Sequence, residues 1–91
     1  MSIQWLFDII EDRKKNPHEG SYTSSLLDEG LPKIAQKVGE EGTEVVVAAL
    51  AQIDQRLIEE VADLTYHTLV LLAARGLTPA HILAELEKRH K

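Results

Sequence analysis

Ile3, Leu6, Phe7 and Ile10 recur at three- and four-residue steps, the spacing that lines one face of an α-helix. Ser2, just before them, suits the N-cap, where a side-chain oxygen takes up a free backbone N–H. The pattern fades at Lys14-Lys15-Asn16-Pro17, and Asn16 to Gly20 reads as a loop broken by Pro17 and Gly20. A short second helix through Leu26 and Leu27, capped by Ser21 or Thr23, ends at Glu29-Gly30. Pro32 fits the first turn of a third helix, whose apolar positions are Ile34, Ala35, Val38, Val45, Val46, Ala49 and Leu50. Val45-Val46-Val47 alone reads as a strand, but the flanking Glu40-Glu41 and Ala48 to Ala51 favour helix.

No Gly or Pro marks the next turn, which falls near Ile53-Asp54 with Asp54 as the expected N-cap of a fourth helix. Leu57, Ile58, Val61, Leu64, Thr68, Leu71 and Leu72 carry that helix to Arg75-Gly76, where glycine suits the residue just past the end. Thr78-Pro79 opens a fifth helix through Ile82, Leu83 and Leu86, closed by Lys88-Arg89-His90-Lys91, whose cations complement the negative end of the helix dipole. The fold class is therefore all-α, a bundle of four to five helices. Leu69 to Ala74 is apolar around most of its helix, more than one small chain is expected to cover, so completion by homodimerisation or a higher homo-oligomer is expected.

Ninety-one residues make one domain. A net charge of −5 argues against a nucleic-acid surface, which wants a basic face, but leaves room for a small phosphorylated ligand held through metal. The chain has no cysteine, which excludes disulfides, thiolate zinc and a cysteine nucleophile and fits the cytoplasm. Its N-terminus lacks the pattern of a signal peptide. The longest apolar run, Leu69 to Ala74, falls far below the ~20 residues of a membrane span, so no membrane partner is expected.

The chemistry concentrates in Glu41/Glu44 and Glu60/Asp63. Each pair has i, i+3 spacing and so shares a helical face. Folding back between Gln52 and Asp54 puts both pairs about ten residues, roughly 15 Å, from the turn and opposite one another. Four converging carboxylates repel unless a cation lies between them, and an oxygen-only donor set suits Mg²⁺ or Mn²⁺. Asp63, set between Val61-Ala62 and Leu64, is expected to point into or beside the core, where an unpaired carboxylate is costly. The alternative for all these acids is solvated helix surface. Carboxylate-bridged di-iron bundles use Glu-x-x-His, whereas this helix reads Glu60-x-x-Asp63, which argues against redox iron.

Lys33, Lys37 and Glu41 follow at i+4 steps, so lysines run up to the acids along one stripe, ready to bridge phosphates or simply to pair on the surface. Ser21, Tyr22 and Thr23 follow a glycine and offer hydroxyls and backbone N–H groups to a phosphate or ribose; helix capping explains them equally well. His67, four residues after Asp63, either orients that acid or is satisfied inside the bundle. Gly39 and Gly42, beside the acids, leave room for a ligand or a closely packed helix.

Glu40-Glu41-x-x-Glu44 followed by Glu60-x-x-Asp63 resembles the motif of the MazG-like all-α nucleoside triphosphate pyrophosphohydrolases. Arg13-Lys14-x-Asn16-Pro17, Gly20-Ser21-Tyr22-Thr23-x-x-Leu26, Lys33-Ile34-x-x-Lys37-Val38-Gly39-Glu40-Glu41 and Ala62-Asp63-Leu64-x-Tyr66-His67 narrow the resemblance to the phosphoribosyl-ATP pyrophosphohydrolases of histidine biosynthesis. The resemblance implies Mg²⁺-dependent hydrolysis of 1-(5-phosphoribosyl)-ATP to 1-(5-phosphoribosyl)-AMP and pyrophosphate. It implies Glu41, Glu44, Glu60 and Asp63 as metal ligands and Glu40 as a further ligand or a positioner of water. Lys37 and Lys33 would hold the triphosphate, and Ser21, Tyr22 and Thr23 would contact substrate. A cyclohydrolase domain, fused in some relatives, uses cysteine-bound zinc, so a monofunctional chain is expected. Two other readings stay open: a house-cleaning enzyme acting on aberrant or deoxy nucleoside triphosphates, and a non-enzymatic helical dimerisation module.

Overall fold

A computed structural model describes residues 1–90 as five helices with no strand. They are α1 (Ile3–Lys15), α2 (Tyr22–Glu29), α3 (Leu31–Ala51), α4 (Asp54–Ala74) and α5 (Pro79–Arg89). The starts follow side-chain chemistry. Ser2 Oγ accepts from the Trp5 N–H at 3.0 Å, and Ser21 Oγ accepts from the Ser24 N–H at 3.2 Å. Gly30, at φ +92°, is shared between the end of α2 and the start of α3, which Pro32 then enters. The Val45-Val46-Val47 run lies inside α3. Ile53, not Asp54, is the N-cap of α4, so Asp54 becomes the first helical residue, where its charge favours the positive end of the dipole. Gly76, at φ +72°, follows α4. Thr78 caps α5, and its N–H donates to His81 Nδ1 at 3.0 Å.

Helices α3 and α4 form the dominant pair, an antiparallel hairpin, with α1 and α2 packed across one end of it. Phe7, Ile10, Leu26, Ile34, Leu69, Val70, Leu72 and Ala73 make the core. The apolar stretch of α4 is thus largely covered within one chain: Leu69, Val70, Leu72 and Ala73 are buried by α1, α2 and α3. That removes the reason for which the stretch suggested an oligomer. Bare apolar surface lies elsewhere, on the outer faces of α3 (Val46, Leu50) and α4 (Ile58, Val61) and along α5 (Ile82, Leu83, Leu86). The radius of gyration, 14.2 Å, exceeds the ~12 Å of a compact chain this long, in keeping with a spread-out hairpin. Among the described residues no single helix is long and apolar enough to cross a membrane, and α4 and α5 meet at 106°.

Candidate metal centre

The α3–α4 hairpin places residues in layers counted from its turn. Arg56, nearest the turn, binds Glu60; Glu44 lies beside Glu60, Glu41 converges with Glu60 and Asp63, and Tyr22 neighbours both Lys37 and His67 further along. Ligand oxygens of Glu41, Glu60 and Asp63 lie within 4.8 Å of one another. Glu44 lies beside Glu41 and Glu60, and its carboxyl disfavours the ionisation of both. Three of the four acids that the spacing pairs across the turn thus converge, with Glu44 alongside two of them.

Burial within the group differs from expectation. Glu41 and Glu60 are the buried acids, at 6% and 5% exposure, whereas Asp63 is exposed, as is Val61 beside it. Asp63 projects from the open edge of the seam because only one stripe of α4 faces α3, and the apolar neighbours that suggested burial belong to different faces. Glu41 Oε2 and Glu60 Oε2 are buried without a hydrogen-bond partner. An orphaned carboxylate oxygen carries a desolvation penalty that a ligand would offset. Burial, then contact with Glu44, raises the pKa of Glu41 above the ordinary glutamate value. Contact with Glu44, then burial, raises that of Glu60.

These residues fit a hard divalent cation. Every donor is a carboxylate oxygen, the group converges from two helices, and two buried oxygens lack any other partner. Lys37 and Arg56 do not neutralise the group, because each is shared with a further acid, Glu40 and Glu59.

Lys37 Nζ lies 3.6 Å from both Glu40 Oε2 and Glu41 Oε1. Desolvation lowers its pKa, but the Tyr22 phenol, Glu40 and Glu41 outweigh this and hold it above the usual lysine value. Tyr22 reaches the same level from α2, its hydroxyl 3.0 Å from His67 Nε2. His67 Nδ1 lies 2.8 Å from the Asp63 carbonyl oxygen, which can only accept, so Nδ1 carries a proton, and in the neutral ring Nε2 accepts from Tyr22. His67 is therefore satisfied inside the bundle. It holds the backbone of Asp63, not its carboxylate, and ties α2 to the acid-bearing turn of α4.

The remaining candidates stand apart from the acids. Glu40 is exposed, its carboxylate taken by Gln36 at 2.8 Å and by Lys37, and the Gln36 hydrogen bond lowers its pKa. Lys33 is exposed and outside the group. Ser21 is spent on capping, and the Thr23 hydroxyl bonds to that of Tyr66. Arg56 was not singled out by sequence reasoning, yet its Nη2 lies 2.6 Å from Glu60 Oε1 and its Nη1 pairs with Glu59. The signal was available, because Arg56 precedes Glu60 by the same four residues by which Lys37 precedes Glu41.

An antiparallel helix pair lining a carboxylate cluster, with a lysine and a tyrosine at its far end, defines an all-α protein with an acidic centre that could hold a metal ion. The family model for phosphoribosyl-ATP pyrophosphohydrolase matches residues 4–90. The chain belongs to that family and is an enzyme of the hydrolase class. It is 54% identical over 89 residues to a phosphoribosyl-ATP pyrophosphatase of Sulfurisphaera tokodaii, covering 98% of this chain and 95% of that one. It is 51% identical to one from Sulfolobus acidocaldarius, covering 98% and 94%. A relative of the same name from Lacticaseibacillus casei is 54% identical over 97% of this chain and 80% of its own.

Proposed function

We propose that this protein hydrolyses 1-(5-phosphoribosyl)-ATP to 1-(5-phosphoribosyl)-AMP and pyrophosphate, with Mg²⁺ (or Mn²⁺ in its place) held by Glu41, Glu44, Glu60 and Asp63. The observation that carries the reading is the pair of orphaned oxygens, Glu41 Oε2 and Glu60 Oε2, inside a convergent oxygen-only cluster. Family membership and the shared name of the relatives support the substrate. A divalent ion there screens phosphate charge and acidifies bound water.

The chain supplies the rest. Lys37, held cationic by its acidic neighbours, attracts the phosphate oxygens entering at the far end of the hairpin. Lys33, one turn further out and exposed, extends that attraction along the stripe. The Tyr22 ring, half exposed above His67, offers an edge for the nucleoside. Ser21 and Thr23 set the Tyr22 backbone through the cap and the Tyr66 contact. Glu44, open to solvent beside the two buried carboxyls, would close the ligand set from its exposed side. Glu40, held outward by Gln36 and Lys37, acts on the lysine rather than on the ion. Cytoplasmic placement goes with this small-molecule substrate.

A panel assay of pyrophosphate release tests the substrate. Phosphoribosyl-ATP should exceed canonical and deoxy nucleoside triphosphates in kcat/KM by at least about 10²-fold, as expected where built polar contacts select a substrate. Equal rates would favour the house-cleaning reading, and no release from any substrate would favour the non-enzymatic one.

We infer also that the protein is a homodimer joined through the outer face of the hairpin. Gly39, Thr43, Val46 and Leu50 share one exposed stripe of α3, and Ile58, Val61 and Ala62 share one on α4. A Cβ added at Gly39 or Gly42 would meet nothing within 4 Å, so neither glycine serves packing within the chain, while both permit a second helix to approach closely. Light scattering should give twice the chain mass, falling to one chain in Leu50→Glu; a wild-type monomer at micromolar concentration would contradict this.

A further inference from the structure

Arg56 sits at the turn-side end of the acid cluster, opposite Lys37, and holds Glu60 by one oxygen only. Its Nη2 bonds Glu60 Oε1 at 2.6 Å, while Glu60 Oε2 stays buried and unpartnered. The guanidinium is itself oriented. Nη1 is taken by Glu59, whose other oxygen accepts from Gln55 Nε2 at 3.2 Å. A planar fork fixed at one prong constrains the carboxylate bound at the other. Gln55, Glu59, Arg56 and Glu60 thus form a chain of contacts along the first two turns of α4. It runs from solvent to a buried oxygen of the cluster, beside a recess of about 230 Å³ that Arg56 lines with Glu44, Val47, Gln52 and Glu60.

We propose that Arg56 is a positioning residue that clamps Glu60 in one rotamer, keeping Oε2 turned into the cluster as a preset donor for the divalent ion. Without the clamp, Glu60 is repelled by the Glu44 carboxyl it touches and loses its fixed orientation. The same guanidinium, shared with Glu59, offsets part of the negative charge, which limits mutual repulsion among the acids before metal enters. Lys37 cannot replace it, because its Nζ faces Glu40 and Glu41 at 3.6 Å, at the other end of the group.

This inference rests on the reading that the acids bind a divalent ion, and calorimetric titration of the intact protein with Mn²⁺ separates the two. Wild type should bind Mn²⁺; Arg56→Gln should bind it about 10- to 100-fold more weakly, the usual cost of removing a group that orients a metal ligand. Arg56→Lys, which keeps the charge but not the fork, should recover only part of the loss. Glu59→Gln, which loosens the fork without touching Glu60, should weaken binding by a smaller factor in the same direction. Turnover should fall through the Mn²⁺ requirement, with saturating Mn²⁺ restoring most of kcat. Circular dichroism guards the comparison, since a half-exposed side chain on a well-packed helix is not needed for folding; loss of helicity in Arg56→Gln would overturn the assignment in favour of a structural role. Equal Mn²⁺ affinity in wild type and Arg56→Gln would reduce the pair to a surface contact. Tighter binding in the variant would make Arg56 a competitor of the ion and overturn the clamp. No Mn²⁺ binding by wild type would end the metal reading itself.

Discussion

Glu41→Gln should abolish most turnover, a fall of at least about 10²–10³-fold, while making the metal-free protein more stable at neutral pH. The two effects share a cause. Glu41 is buried, one of its oxygens has no partner, and Glu44 presses against it. Glutamine keeps the shape, removes the charge and supplies an N–H that Glu44 can accept. The folded-state pKa of Glu41 lies above its unfolded value, so protonation favours the fold. That contribution is fully present below the ordinary carboxylate pKa of about 4.3 and is lost as pH rises through the raised folded value. The gain in Tm of Glu41→Gln over wild type, followed in chelator by circular dichroism, should therefore be near zero at about pH 4 and grow towards pH 7.5. Retained turnover, or a variant less stable than wild type at pH 7.5, would contradict the reading of Glu41 as a strained acid kept for a ligand.

Ile34→Ala should be among the most destabilising single changes, costing about 2–5 kcal/mol. Ile34 is fully buried where α3 meets the core formed by Phe7, Ile10, Leu26 and Val70, and truncation leaves a void that this crowded junction cannot close. For a chain of this size the loss corresponds to a Tm lower by on the order of 10 °C or more. Ile34 also precedes Lys37 by one turn, so folded variant at low temperature should show a raised KM as the lysine loses its fixed support. Urea unfolding measures the first effect and steady-state kinetics the second. A cost below about 1 kcal/mol would mean that the end of the bundle repacks freely.

Local chemistry made the helices legible. Ser2, Ser21, Gly30, Gly76 and Thr78 mark ends by caps or by a positive φ, and the elements lie where those residues put them. The α3–α4 turn carried no such mark, and there the boundary shifted by one residue, from Asp54 to Ile53. The acid cluster was legible because it needs only two helical spacings and one turn. Which acids are buried was not: Asp63 has apolar sequence neighbours, but burial follows the angle at which α4 meets α3. The contact of Tyr22 with His67 joins residues 45 positions apart and depends on how α2 lies across the hairpin, which no local pattern encodes. Likewise, the apolar pattern of Leu69 to Ala74 does not reveal that α1 and α2 cover it, and the bare faces are those carrying Gly39, Val46 and Leu50.

Binding of a divalent ion between Glu41, Glu60 and Asp63 is tested most directly by anomalous scattering from a crystal soaked with Mn²⁺ and a non-hydrolysable nucleotide. The expected result is a manganese peak within bonding distance of Glu41 Oε2 and Glu60 Oε2, with the nucleotide's phosphates on its open side towards Lys37. Nucleotide bound with no manganese peak at those oxygens, or manganese held elsewhere on the chain, would contradict it.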